Sequence, residues 1–270
     1  MHCASAGEGA AGAAKGLTLR CSPAERRVWT ERGDGASRKI VFSSTFDSVL
    51  DHSSVDPPKA NEVYDSAIAP AVAAAAEGKL GCVLCVGGGG ATAKRTTLWE
   101  AMSTLGFPPL LAAADKVGGS LVASALHAHW ERLTDLVDGQ PLESSPPTGG
   151  GAGGGGLWGS ASRTLTSVAD GAAFLSELPA AADAAETASV GASGTGHIAV
   201  QLQLLDGSGG ALGRVLLVDA ADLLSVSATT ELLQPTLCHQ SHSMLSKVLS
   251  KPTARAYRAR AHAHAPREIA

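Results

Sequence analysis

The stretch GGGGATAKRTT, residues 87 to 97, sets four glycines ahead of a lysine and two threonines. Glycine turns let backbone N–H groups cradle phosphate, and a following lysine neutralises it. The usual spacing is G-x-x-x-x-G-K-[ST]. Gly88 and Lys94 keep it, but Ala93 replaces the second glycine and Arg95 the hydroxyl. The candidate nucleotide-binding set is therefore Gly88, Gly89, Gly90, Ala91, Thr92, Ala93, Lys94, Arg95 and Thr96. Other chemistry-bearing residues are weaker. Cys82 and Cys85 form C-x-x-C, but strand positions three apart face opposite sides, so they read as structural cysteines. His127 and His129 would share a strand face. His239 and His242 would be helix neighbours, and His262 and His264 lie in a tail.

The elements around the loop suit it. GCVLCV (81 to 86) is continuously apolar, the pattern of a strand buried on both faces, and it runs into the glycines. A helix is expected from near Lys94. Upstream, KIVFSSTF (39 to 46) reads as a strand, and 61 to 78 as a helix with a kink at Pro70 and a stop at Gly78. Residues 119 to 137 begin strand-like and end helix-like. Residues 166 to 188 contain a helix, with Ser167 as cap and Asp170 in its first turn. Residues 196 to 206 and 214 to 224 form a hairpin, and 235 to 251 a helix stopped by Pro252. Residues 1 to 16 read as disordered, and the glycine-rich 143 to 156 as an exposed loop. The class is α/β, a twisted, mainly parallel central sheet with helices on both faces.

The chain has 270 residues, 44% hydrophobic and 17% charged, enough for a sizeable core. A net charge of -4 argues against a nucleic-acid partner. No run reaches the ~18 apolar residues of a membrane span. The odd cysteine count of 5 does not suggest a disulfide framework. A soluble protein of the cytoplasm is expected.

The order of segments resembles a kinesin motor domain, a P-loop NTPase fold. The family's phenylalanine-aspartate-x-valine stretch is matched by Phe46, Asp47, Ser48 and Val49, and its valine-tyrosine helix ending in glutamate-glycine by Val63, Tyr64, Glu77 and Gly78. LGCVLCVGGGGATAKRTTL is similar to N-G-T-I-F-A-Y-G-Q-T-G-S-G-K-T-Y-T-M with one extra glycine. SALHAHWERLTDLV resembles S-Y-L-E-I-Y-N-E-x-x-x-D-L-L through Ser124, Leu126, Glu131, Asp135 and Leu136. Switch I, N-x-x-S-S-R-S-H, falls on VGASGTGH, keeping Ser193 and His197. Switch II, V-D-L-A-G-S-E, falls on VDAADLL, keeping Val218, Asp219 and Ala221. CHQSHSMLSKVL resembles the microtubule-facing helix through Ser241, Ser243, Leu245, Lys247 and Val248, and Tyr257-Arg258 the later P-Y-R.

The resemblance implies a motor-like domain over 17 to 258, incomplete at its C-terminal end, followed by a basic tail over 259 to 270. From Lys247 onward six basic residues face only Glu268, a net +5 that suits an acidic microtubule surface. It implies ATP and Mg²⁺ as ligands and tubulin as partner. It assigns Asp219 and Ser193 to catalysis, Asp219 also to Mg²⁺ through water, and Ser241, Ser243, Lys247, Lys251 and Arg258 to the microtubule.

The departures weaken the chemistry. Arg95 has no acceptor for Mg²⁺; Thr96 or Thr97 substitutes only if the loop shifts. Methyls at Ala91 and Ala93 cost ~1–2 kcal/mol each wherever the backbone must be left-handed. The switch arginine is Thr195 and its partner glutamate is Leu224, so both ends of one ion pair are gone. Losing both can be neutral, whereas losing one costs ~3–5 kcal/mol. Asp222 replaces the γ-phosphate-sensing glycine; its carboxylate at ~4 Å repels a phosphate charge by roughly 4 kcal/mol. Three readings follow: a microtubule-binding module with a degenerate ATP site, a working motor with a shifted loop, or a non-functional fragment.

Overall fold

The computed structural model describes residues 2–3, 17–32, 38–51, 60–86, 97–129, 132–143, 156–189 and 196–220. β1 (His2–Cys3), inside the stretch expected to be disordered, pairs in parallel with β5 (Leu50–Asp51). Between them β2 (Leu17–Ser22), β3 (Arg27–Arg32) and β4 (Lys39–Thr45) form a separate antiparallel sheet. β4 is the strand expected at 39 to 46. Among the described residues, Val28 and Val49, with Cys21 and Phe46 against them, form a small core here.

The helix expected at 61 to 78 is α1, running as Ala60–Val63, a π-helical turn Tyr64–Ile68, and Ala69–Ala76. The wide turn ends just before Pro70, which has no N–H and crowds the turn that precedes it. Gly78, at φ +81°, closes the helix: its N–H donates to the Ala75 carbonyl at 2.9 Å, and Lys79 N–H to that of Ala74 at 2.8 Å. β6 (Leu80–Cys85) follows. Residues 97–101, the π-turn Met102–Gly106 and Phe107–Lys116 make α2.

β7 (Ser120–His129) and β8 (Arg132–Asp135) occupy the stretch expected to turn helical, and β9 (Pro141–Leu142) pairs onto β8. The local helix preference of this alanine- and leucine-rich run is overridden by pairing. β7 bonds β11 along one edge, and β8 and β10 along the other. A 3₁₀ turn (Leu157–Gly159) and β10 (Arg163–Leu165) lead into α3 (Val168–Ser189). As expected, Ser167 caps it, its Oγ accepting from Asp170 N–H at 3.1 Å; the Asp170 carboxylate in turn accepts from Thr166 N–H at 3.0 Å. The expected hairpin is β11 (His197–Leu205) and β12 (Ala211–Asp219), its turn held by Asp206, whose Oδ1 accepts from Ser208 and Gly210 N–H, both at 2.8 Å.

The main sheet runs β6-β12-β11-β7-β8-β9, with β10 also on β7. Among the described strands, only β6–β12 is parallel in it and the other pairings are antiparallel. The expectation of a mainly parallel sheet is thus corrected. Short connections join β7 to β8 and β11 to β12, and short connections produce antiparallel neighbours. The described helices share one face of this sheet. Ile68, Val72, Met102, Phe107, Leu110, Phe174 and Leu178 pack there on Leu121, Ala123, Val200, Leu202, Val215 and Leu217. The opposite face gathers Leu126, Ala128, Ala199, Leu216 and Val218 under Leu157. The helix expected at 235 to 251 lies outside the described residues, and helices on both faces are not seen among those described.

β6 was expected to be buried on both faces. It is instead an edge among the described strands, with Leu80, Cys82 and Leu84 exposed. Its other face is pressed closely by α1. A Cβ on Gly81 would lie 2.1 Å from the Ala71 carbonyl oxygen, and one on Gly213 1.9 Å from that of Ala75. Two glycines on neighbouring strands thus meet two alanines one helical turn apart, and only hydrogen side chains permit that approach.

Candidate functional site

Cys85 and Asp219 are Cα partners at the C-terminal ends of β6 and β12, the parallel pair of the main sheet as described. Ala220 N–H closes the pair by donating to the Cys85 carbonyl at 2.9 Å. The glycine stretch leaves β6 after Val86, and the chain is helical again from Thr97. The strand before and the helix after the candidate phosphate loop are therefore both present. In open α/β sheets ligands bind beyond the carboxyl ends of parallel strands. Asp219 stands there, 2% exposed.

One row across the sheet leads to it. Thr134 pairs with His127, His127 with Ile198, Ile198 with Asp219, and Asp219 with Cys85. At about 4.8 Å per strand, His127 and Asp219 lie two strands apart, ~10 Å. Both face the helices, as do their neighbours Ala125 and Leu217.

His127 and His129 do share a face, with ring centroids 5.8 Å apart, and both are buried. His127 meets Glu186 on α3, Nε2 to Oε1 at 3.1 Å. The same Oε1 accepts from Gly196 N–H at 3.0 Å, just ahead of β11. A Cβ at Gly196 would fall 1.9 Å from His127 Nε2. Burial lowers the pKa of His129, against an opposing pull from Glu186; His127 and Arg132 add to the lowering.

Sequence reasoning missed Glu186. It was legible as an anomaly of spacing, because Phe174, Leu178 and Ala182 are buried at intervals of four on α3 and Glu186 takes the next place on that stripe. A carboxylate on an apolar stripe must find a donor.

Ser124 on β7 and Asp135 on β8 pin the chain where it returns from the glycine-rich stretch. Ser124 Oγ accepts from Leu157 N–H at 2.9 Å. The buried Asp135 carboxylate accepts from Val137 N–H at 2.8 Å and from Ala161 N–H. Burial raises the Asp135 pKa, partly offset by those two amides. Cys82 and Cys85 point opposite ways as expected: Cys82 is exposed, with its thiol pKa raised by desolvation, and Cys85 packs against the helix-side core.

Of the predicted site, the structure places Asp219. Gly88, Gly89, Gly90, Ala91, Thr92, Ala93, Lys94, Arg95 and Thr96 lie outside the described residues. So do Ser193, and the candidate microtubule residues Ser241, Ser243, Lys247, Lys251 and Arg258. Among the described residues no helix is long and apolar enough to cross a membrane.

This mixed sheet, with a parallel strand pair leading to the glycine stretch and a strand ending in aspartate, has a kinesin-like fold. The chain matches a solved structure of a fast kinesin with a TM-score of 0.54 and 18% identity, over 82% of this chain and 64% of that one. It thus spans just under two thirds of the length of that kinesin chain. The fast kinesin was described for its ATPase mechanism and its interactions with microtubules. No family model and no curated protein matches the sequence.

Proposed function

We propose that this chain is a kinesin-like, microtubule-binding domain with a degenerate ATP site, a binding module of the microtubule cytoskeleton rather than an engine. The observation that carries the reading is the register pair Cys85–Asp219 at the mouth of the parallel strands, immediately ahead of the altered loop. Asp219 supplies a hard oxygen donor of the kind Mg²⁺ prefers. Lys94 would neutralise the β- and γ-phosphates, and Asp219 would hold the water shell of Mg²⁺. The bound ion would supply charge neutralisation at the phosphates.

Against turnover stand Arg95 in the hydroxyl position and the loss of both switch ion-pair partners at Thr195 and Leu224. Asp222 adds a repulsive charge where a phosphate must be sensed. The basic tail beyond Lys247 supplies electrostatic attraction to an acidic filament.

Co-pelleting with microtubules tests the reading, done without nucleotide, with ADP, and with a non-hydrolysable ATP analogue. The expected result is saturable binding that changes little with nucleotide. No binding in any state overturns it. Microtubule-stimulated turnover that vanishes in Lys94→Ala would replace it with a working motor whose loop recruits Thr96 or Thr97.

A further inference from the structure

The β2–β3–β4 sheet carries a feature that its own packing does not use. Its core sits at one end, around Val28 and Val49. Farther along, β4 presents Ile40, Val41 and Phe42 in succession, 53%, 53% and 55% exposed. β4 bulges at Val41, so that Phe42 pairs with Thr30 and Ile40 with Glu31; Ile40 and Phe42 thus lie on opposite faces, and apolar surface is open on both. A run of three exposed apolar residues costs solubility and marks an interaction surface when it is retained. β4 is also an edge. Among the described residues it pairs with β3 alone, and its outer N–H and C=O groups face no strand.

The charge of this part of the chain is net positive: residues 17 to 45 hold six basic residues against Glu25, Glu31 and Asp34. Glu31 is already engaged: it faces Arg20 at 3.6 Å and Arg38 at 3.8 Å, and accepts from Trp29 Nε1–H at 2.9 Å. Arg27 lies over the Trp29 ring, 5.5 Å from its centroid, and donates to Ser43 Oγ at 2.8 Å. Arg32 and Lys39 are Cα partners across the strand pair. Among the described residues, no carboxylate forms an ion pair with either.

We propose that the free edge of β4 is a docking edge for an extended, acidic segment of a partner protein. The segment adds as a further strand, its apolar side chains on the Ile40 face and its carboxylates on the other, beside Arg32 and Lys39 and next to Phe42. Backbone pairing supplies affinity, while the apolar and basic side chains select the sequence. A second copy of this chain fits less well, because β4 against itself brings no carboxylate to Arg32 or Lys39. This inference stands apart from the nucleotide and microtubule reading.

Fluorescence anisotropy with the full chain decides it. The probe is a short fluorescein-labelled peptide alternating glutamate and valine, with a control in which lysine replaces glutamate. The glutamate peptide is expected to bind saturably and the lysine peptide not to bind. Lys39→Glu and Phe42→Asp should each weaken binding about tenfold or more. Both positions are exposed, and unchanged far-UV circular dichroism will show that both variants are folded. No binding of the glutamate peptide, or equal binding of both peptides, overturns the proposal. So does a concentration-dependent dimer that Phe42→Asp abolishes, since the occupant would then be a second copy.

Discussion

The Glu186 carboxylate lies 3.1 Å from His127 Nε2 although 59 residues separate them. It accepts from Gly196 N–H as well, so one buried side chain ties the last turns of α3 to β7 and to the head of β11. Replacing Glu186 by Ala strands two buried polar partners and should cost roughly 2–4 kcal/mol in urea denaturation. Glu186→Gln keeps an acceptor for Gly196 and should lose clearly less. Equal losses for the two variants would show that packing alone matters at this position.

Burial holds the pKa of His129 below its ordinary value of 6.5. The unfolded chain therefore takes up a proton that the folded chain resists. Stability is fully present above pH 6.5 and falls as pH drops through that value toward the depressed folded pKa. Melting temperatures measured from neutral to mildly acid pH should fall, and His129→Gln should flatten the decline. An unchanged slope in that variant would assign the acid sensitivity to other groups.

The contact of α1 with β6 and β12 depends on Gly81 and Gly213. Gly81→Ala drives a methyl into the Ala71 carbonyl, a backbone atom that cannot rotate away. A loss of ~1–3 kcal/mol is expected. Gly139→Ala is a fitting control for steric crowding: nothing lies within 4 Å of its Cβ position, although its φ of +74° adds a backbone penalty. Thermal melts of the two variants will separate collision from backbone strain.

If Asp219 holds the water shell of Mg²⁺, Asp219→Asn should weaken Mg²⁺-dependent binding of a fluorescent ATP analogue by ~10–100-fold. Binding in EDTA should be unaffected. Lys94→Ala should weaken binding with and without the metal. An Asp219→Asn variant that binds like the parent with Mg²⁺ would remove Asp219 from the site.

Much of the architecture was legible locally. The helix over 166 to 188 announced itself through Ser167 and Asp170, and both cap it. The stop at Gly78 and the hairpin around Asp206 followed from turn chemistry that acts within a few residues. The family resemblance rested on the order of many short matches, and the fold agrees with it. What failed was non-local. The end of the stretch 119 to 137 read as helix, but β7 offered Arg132–Asp135 a pairing edge. The uniform apolar run of β6 promised burial on both faces, yet the face that carries Leu80, Cys82 and Leu84 is exposed while α1 covers the other.

The chain by itself determined which residues could do chemistry: the glycine loop with Lys94, the aspartate ending an apolar strand, and the departures at Arg95, Thr195 and Leu224. Those are matters of side-chain type and spacing. Only the tertiary structure decided that Asp219 sits beside Cys85 at the strand ends, and that Glu186 turns inward to His127. Register and strand order depend on contacts between residues far apart in the chain, and no local pattern encodes which edge a strand will find.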